Sequence, residues 1–190
     1  LDRYEVTDKK LLAYNAKSSG ASVEKIANLL LEGKNLALVS DAGTPGISDP
    51  GTVLVGKLRT HPSAANYKIV AIPGPSAVIA ALSISGLPTD GFNFLGFIPH
   101  KKGRETLFKE IMDSTRTTVC YESTHRLLKT LASLSKLIPL RQAAVARELT
   151  KIHEELQTGS LQELFDHYES NPDTVRGECV LIISPKSKRD

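Results

Sequence analysis

One recurring pattern constrains this chain more than any other: a short apolar run, a turn dense in glycine and proline, then a helical segment. It occurs first as NLALVS at 35–40, the turn SDAGTPGISDPG at 40–51 and the segment after it. It occurs again as KIVAI at 68–72, the turn PGPS at 73–76 and an Ala- and Leu-rich stretch closed by Gly86. Apolar runs this short between turn formers are the pattern of buried strands, since a helix needs greater length to bury a face. Strand, helix, strand, helix predicts an α/β fold with a parallel sheet in its first lobe. Upstream, Ser22 as N-cap, Val23, Ile26, Ala27 and Leu30 at helical spacing, and Gly33 as a stop predict an amphipathic helix. Asp49 as cap and Pro50 at the first helical position, where its missing N–H costs nothing, predict the start of the next helix.

Residues 87–91 (LPTDG) combine turn formers with a change of pattern, and predict a boundary between lobes spanning 1–88 and 89–190. Beyond it, strands are expected at 92–97, 117–121, 143–146 and 178–184. Helices are expected from about Arg104 and after Ser123, the latter ending before Pro139. Ser160 with Glu163 fits the capping box of one more helix. No internal repeat and no low-complexity segment interrupts the series.

With 41% hydrophobic and 24% charged residues among 190, the chain is globular in composition and long enough to bury a core. Its most apolar stretch, 72–87, is broken by prolines, glycines and serines and is short for a bilayer, so no membrane segment is expected. The polar residues at 1–5 lack the apolar region of a signal peptide, and a cytoplasmic protein is expected. Cys120 and Cys179 stand in strand-like apolar runs without CxxC spacing or a histidine cluster, which predicts buried reduced thiols and no metal site. A net charge of +3 decides little, but two basic clusters stand out: His100-Lys101-Lys102-Gly103-Arg104, and Lys186, Lys188 and Arg189 in the tail. The first is a candidate substrate contact or a solvated loop; the second is a solvated tail.

Turns that follow strands lie at the carboxyl edge of a parallel sheet, where open α/β folds bind ligands. In the 40–51 turn, glycines allow close approach, so the main chain of Asp41, Ala42, Gly43 and Thr44 can grip a polar cofactor. The alternative is a rigid turn in which Asp49 caps a helix and Pro45 fixes φ; the two roles are compatible. Pro75, Ser76 and Ala77 form a second such turn, opening a helix whose first N–H groups are available to a polar group. No G-x-G-x-x-G follows a predicted strand, which disfavours a nicotinamide dinucleotide. Three further segments stand at strand ends: YESTHR at 121–126, ARELTK at 146–151 and GEC at 177–179. Each has a structural alternative: Ser123 or Thr124 as caps, Arg147 and Glu148 in an ion-pair network, and His125 as a surface helical residue rather than a general base.

SDAGTPGISDPG, IPGPSAVIAALSISGLPTD, YESTHRLL and ARELTK in this order resemble the tetrapyrrole methylase superfamily, and most specifically its branch acting on ribosomal RNA. The resemblance runs over residues 36–183. It implies a two-lobed methyltransferase, mostly parallel in the sheet of the first lobe and mixed in the second, with S-adenosyl-L-methionine held between the lobes. It also implies a homodimer and 2′-O-methylation of a cytidine in small-subunit ribosomal RNA. Carried over residue by residue, Asp41 to Thr44, Pro75-Ser76-Ala77, Tyr121, Ala146-Arg147 and Glu178-Cys179 would line the cofactor. Arg147 and Lys151 suit a substrate phosphate or charge on a ribose oxygen, and Asp49 or Glu122 suits a base. Lys101, Lys102 and Arg104 would meet RNA phosphates.

Two other readings remain open: a methyltransferase of the same superfamily acting on a tetrapyrrole or other small acceptor, against which YESTHRLL and ARELTK argue, and a truncated, non-catalytic binding module. The start departs from the family pattern, lacking the first strand, its glycine-containing loop and the acidic segment after it, a unit of about 30 residues. Because the chain also begins at Leu1 rather than Met, it is expected to be the larger part of a longer protein.

Overall fold

The computed structural model describes residues 5–171 and 177–186. Lys188 and Arg189 of the basic tail lie outside the described residues, while Lys186 pairs with Asp113 at 3.1 Å. The chain divides into two compact units, Leu1–Gly74 and Pro75–Asp190.

In the first unit, α1 (Gly20–Leu31) and α2 (Gly51–Arg59) pack through Val23, Ala27, Leu54 and Leu58, with Tyr14, Ile26, Leu30 and Tyr67 around them. Those are the α1 positions whose spacing predicts a buried stripe. The helix begins two residues before Ser22, and Ser19 occupies its N-cap. Pro50 rather than Asp49 is the N-cap residue of α2. The larger departure concerns the two expected strands: neither 35–40 nor 68–72 joins a ladder among the described residues, and Leu36, Leu38, Val39, Ile69, Val70 and Ile72 are exposed. Apolarity makes a segment fit for a sheet, but a strand exists only when a neighbour takes its N–H and C=O groups. The parallel sheet expected in the first lobe is therefore not formed among the described residues.

The second unit is an α/β layer structure. Its elements are α3 (Ala77–Ser85), β1 (Phe92–Phe97), α4 (Arg104–Asp113), β2 (Thr117–Ser123), α5 (Thr124–Leu137), β3 (Gln142–Arg147), β4 (Glu155–Ser160), α6 (Leu161–Ser170) and β5 (Glu178–Ile183). The strands form one mixed sheet in the order β1-β2-β5-β3-β4, with only β1 and β2 parallel. β5 lies at the centre, and the apolar run CVLII after its exposed Glu178 follows from burial on both faces. Cys179, Leu181 and Ile183 point into the larger core with residues of α4, α5 and α6. Val180 and Ile182 point to the other face, onto Val78, Ala81 and Leu82 of α3. That packing explains why α3, which follows the first-lobe pattern in sequence, belongs by contact to the second unit. Ser76 caps α3, Gly86 ends it at φ +69, and the Ser160–Glu163 capping box opens α6 with both reciprocal bonds made. Among the described residues, no helix is long and apolar enough to cross a membrane.

Candidate functional site

In the first unit, the 40–51 turn is braced from within. Ser40 Oγ lies 3.2 Å from the carbonyls of both Ala42 and Gly43, and Asp49 Oδ1 accepts from the N–H groups of Gly46 (3.2 Å) and Gly51 (2.7 Å). The Thr52 hydroxyl donates to the Gly46 carbonyl. Asp49 thus performs the bracing role, and one of its oxygens is committed. Gly43 has φ +71, which side-chain-bearing residues avoid, and Asp41, Ala42 and Gly43 are exposed. A braced turn with exposed main chain fits a polar cofactor gripped by backbone rather than by long side chains.

In the second unit, Tyr121 and Ala146 both lie opposite Val180 in the sheet register, so they share the face that α3 covers. The Tyr121 ring meets Phe94 edge-on at 5.0 Å and Phe97 at 5.1 Å. Burial, with the charge of Glu178, raises its phenol pKa against the opposing pull of a hydrogen bond from the Val78 N–H. At the Pro75-Ser76-Ala77 turn, the Ile79 N–H goes to Ser76 Oγ at 3.5 Å and that of Ala80 to the Ser76 carbonyl at 2.9 Å, so two donors at the start of α3 are satisfied internally.

Arg147 and Cys179 are register partners on the opposite face. Arg147 Nε lies 2.7 Å from Glu155 Oε2, with the Arg147 side chain 7% and the Glu155 side chain 19% exposed. Tyr168 Oη donates to the same oxygen at 3.4 Å and Gln157 Nε2 to Oε1 at 3.4 Å. The Arg147 guanidinium is therefore part of the fold's interior, and of the two residues only Ala146 lies on the Tyr121 face. Lys151, grouped with Arg147 by sequence, behaves differently: its side chain is 59% exposed, and Nζ lies 3.0 Å from Glu148 Oε1. That ammonium, aided by the Glu178 N–H, holds the Glu148 carboxyl below the usual range. Gly177 faces Glu148 so closely that a Cβ there would clash with its carboxylate. Glu178 is exposed at the start of β5, while Cys179 is buried and its thiol donates to the Glu122 carbonyl at 3.0 Å. Burial pushes both the Cys120 and Cys179 thiols up to about 12, in keeping with inert core cysteines.

Glu122, a candidate base by position, is fully buried and saturated. Oε1 takes the Ser123 N–H at 2.8 Å and Arg126 Nη2 at 2.5 Å; Oε2 takes the Thr130 hydroxyl at 2.6 Å and lies 3.7 Å from Arg104 Nη1. Both oxygens of this carboxylate are thus engaged by donors from within the fold. Arg104, expected at an exposed RNA-binding edge, is accordingly turned inward: it donates to Thr130 Oγ1 at 2.7 Å and stacks over Phe108 at 4.7 Å. Lys101 and Lys102 alone remain exposed from that trio. His125 is exposed on α5, as the surface-helix alternative holds. No cluster of His, Cys, Asp and Glu suited to a metal occurs among the described residues.

The model of the family described as Tetrapyrrole (Corrin/Porphyrin) Methylases matches residues 4–164. This chain belongs to the tetrapyrrole methylase family. Within it, the chain is 42% identical over 187 residues to the ribosomal RNA small subunit methyltransferase I of Mesorhizobium japonicum, a match covering 97% of this chain and 62% of that protein. It is 38% identical over 186 residues to the protein of the same name in Thermotoga maritima, covering 98% of this chain and 81% of that one. The chain thus spans about three fifths to four fifths of the length of these relatives. Its fold resembles that of the methyltransferase CobJ, with a TM-score of 0.63 at 19% identity over 96% of this chain and 79% of the other. It also resembles uroporphyrin-III C-methyl transferase from Thermus thermophilus complexed with S-adenyl homocysteine, with a TM-score of 0.54 at 20% identity over 85% and 72%.

As a tetrapyrrole methylase, the chain carries polar groups whose importance strand-end reasoning passes over. Glu155 holds Arg147 in place, and Arg126 neutralises Glu122. Glu122 lies in β2 and Arg126 in α5, so no helical spacing announces their pairing. Glu155 gave no signal either, since β4 lacks an apolar run.

Proposed function

We propose that this chain carries the methyl-transferring part of an S-adenosyl-L-methionine-dependent enzyme that methylates the 2′-oxygen of a cytidine in small-subunit ribosomal RNA. The observation that carries this reading is the 38% to 42% identity, over nearly the whole chain, to proteins named ribosomal RNA small subunit methyltransferase I. The exposed Lys101 and Lys102 and the half-exposed Lys151 support a polyanionic acceptor. Cofactor contacts are assigned to the main chain of Asp41, Ala42, Gly43 and Thr44 in the first unit. In the second they are assigned to Pro75-Ser76-Ala77, the Tyr121 ring, and the main chain at 146–147 and 178–179. The protein is assigned to the cytoplasm, as a homodimer, with the change of sequence pattern between its lobes near 88–89.

The bound cofactor supplies an already activated methyl group, so the chain's task is alignment of an acceptor oxygen in line with it. Lys151 serves that task by holding a phosphate or easing negative charge on the ribose oxygen, since its ammonium projects to solvent beside the β3 end. Among the described residues only one Asp49 carboxylate oxygen is engaged, which favours Asp49 over Glu122 as the base. Lys101 and Lys102 bind phosphates, and replacing both with alanine lowers the slope of log affinity against log salt by about two.

Transfer of labelled methyl to small ribosomal subunits lacking the modification tests the reading. Incorporation at a cytidine ribose supports it. No transfer to subunits, with transfer to a uroporphyrin-type acceptor, replaces it with the small-acceptor reading. S-Adenosyl-L-methionine binding without any transfer leaves a non-catalytic module.

A further inference from the structure

The connection between β1 and α4 is held from the inside by four polar side chains, Arg104, Arg126, Glu122 and Thr130. Ile98, 1% exposed, donates its N–H to the Tyr121 carbonyl at 3.0 Å. Its own carbonyl accepts from Arg126 Nη1 at 2.9 Å, and the next carbonyl, Pro99, accepts from Arg104 Nη1 at 3.4 Å. Both guanidiniums converge on the single carboxylate of Glu122, directly or through the Thr130 hydroxyl, which accepts from Arg104 and donates to Glu122. Immediately beyond these anchored carbonyls, His100, Lys101 and Lys102 are exposed.

Arg104 and Arg126 come from different helices, and each would repel the other without a buried negative charge between them. Glu122 removes that repulsion and fixes both forks, whose planar geometry allows one guanidinium to serve a carboxylate and a main-chain carbonyl together. We propose that Glu122 is a positioning residue. Through Arg104 and Arg126 it holds the 98–103 connection in the shape that presents Lys101 and Lys102 to a polyanion. This rests on the RNA reading above and adds to it a specific origin for the loop's order. A preformed loop avoids the ordering cost that two flexible lysines on a loose segment would incur on binding.

The test compares the wild-type protein with Glu122→Gln, with the milder Thr130→Val, and with Lys101→Ala/Lys102→Ala, alone and combined. Amide hydrogen exchange at residues 100–103 and binding of small ribosomal subunits are measured on each. Glu122→Gln and Thr130→Val should speed exchange in the loop while the amides of β5 stay protected, and should weaken subunit binding by about tenfold. Neither should weaken binding further once both lysines are gone, and S-adenosyl-L-methionine affinity should stay within about twofold. Unchanged loop exchange in both variants overturns the proposal, as does a binding loss that simply adds to that of the lysine pair. If Glu122→Gln fails to fold, Thr130→Val decides by the same criteria. A wild-type protein that does not bind the subunit defeats the RNA reading, and loop exchange alone then judges the clamp.

Discussion

Arg147→Leu separates an interior ion pair from a substrate-binding cation. The guanidinium sits 2.7 Å from Glu155 with side-chain exposures of 7% and 19%, so its removal leaves a carboxylate mostly out of water without its cation. Breaking a fully buried pair costs about 3–5 kcal/mol. Glu155 keeps some solvent and the donors of Gln157 and Tyr168, which reduces the expected loss to about 2–3 kcal/mol. For a domain of this size, that corresponds to a fall in Tm of roughly 4–12 °C. Arg147→Leu/Glu155→Leu should recover most of the loss, because a matched apolar pair carries no desolvated charge. Urea unfolding of the wild type, both single variants and the double variant measures the coupling, and methyl transfer is scaled to folded protein. A loss below about 0.5 kcal/mol in Arg147→Leu, or single effects that add without coupling, would refute the interior assignment. A stable variant with abolished transfer would return Arg147 to the acceptor.

Three further outcomes follow from particular contacts. Lys151→Ala should cost less than about 1 kcal/mol, because its partner Glu148 is met near solvent, yet should lower transfer by about tenfold or more at unchanged cofactor affinity; normal transfer would remove it from the acceptor site. Gly177→Ala should destabilise by about 1–2 kcal/mol, since φ is +80 and the new Cβ meets the Glu148 carboxylate, and Glu148→Ala in the same protein should relieve the steric part. Cys120 and Cys179, whose thiols burial pushes up to about 12, stay protonated where the unfolded chain ionises. Folding stability from this source is therefore constant below about pH 9 and falls between about pH 9 and 12. Denaturant titrations at about pH 8 and pH 10 should show a larger loss for the wild type than for Cys120→Ala/Cys179→Ala; equal losses would contradict the burial argument.

The sequence by itself determined the features whose causes are local. The α1 stripe, the Gly86 stop and the Ser160–Glu163 capping box depend on residues within one or two turns, and each stands where the spacing puts it, whereas the caps expected at Ser22 and Asp49 fall on Ser19 and Pro50. β5 was equally legible, because a strand buried on both faces has to be apolar throughout. Tertiary structure alone decided which extended segments became strands. Residues 68–72 are as apolar as β3 yet have no ladder partner among the described residues. The polar segment ELQTGS became β4 because β3 lies beside it and takes its backbone bonds. The same non-local logic assigned the charges. Arg104 stands in sequence beside Lys101 and Lys102, but a carboxylate eighteen residues downstream draws it inward. Arg147 and Lys151 read as one basic pair until alternation along β3 turns the first into the core and leaves the second in water. The energy of a charge depends on its surroundings, and folding brings those surroundings together from distant parts of the chain.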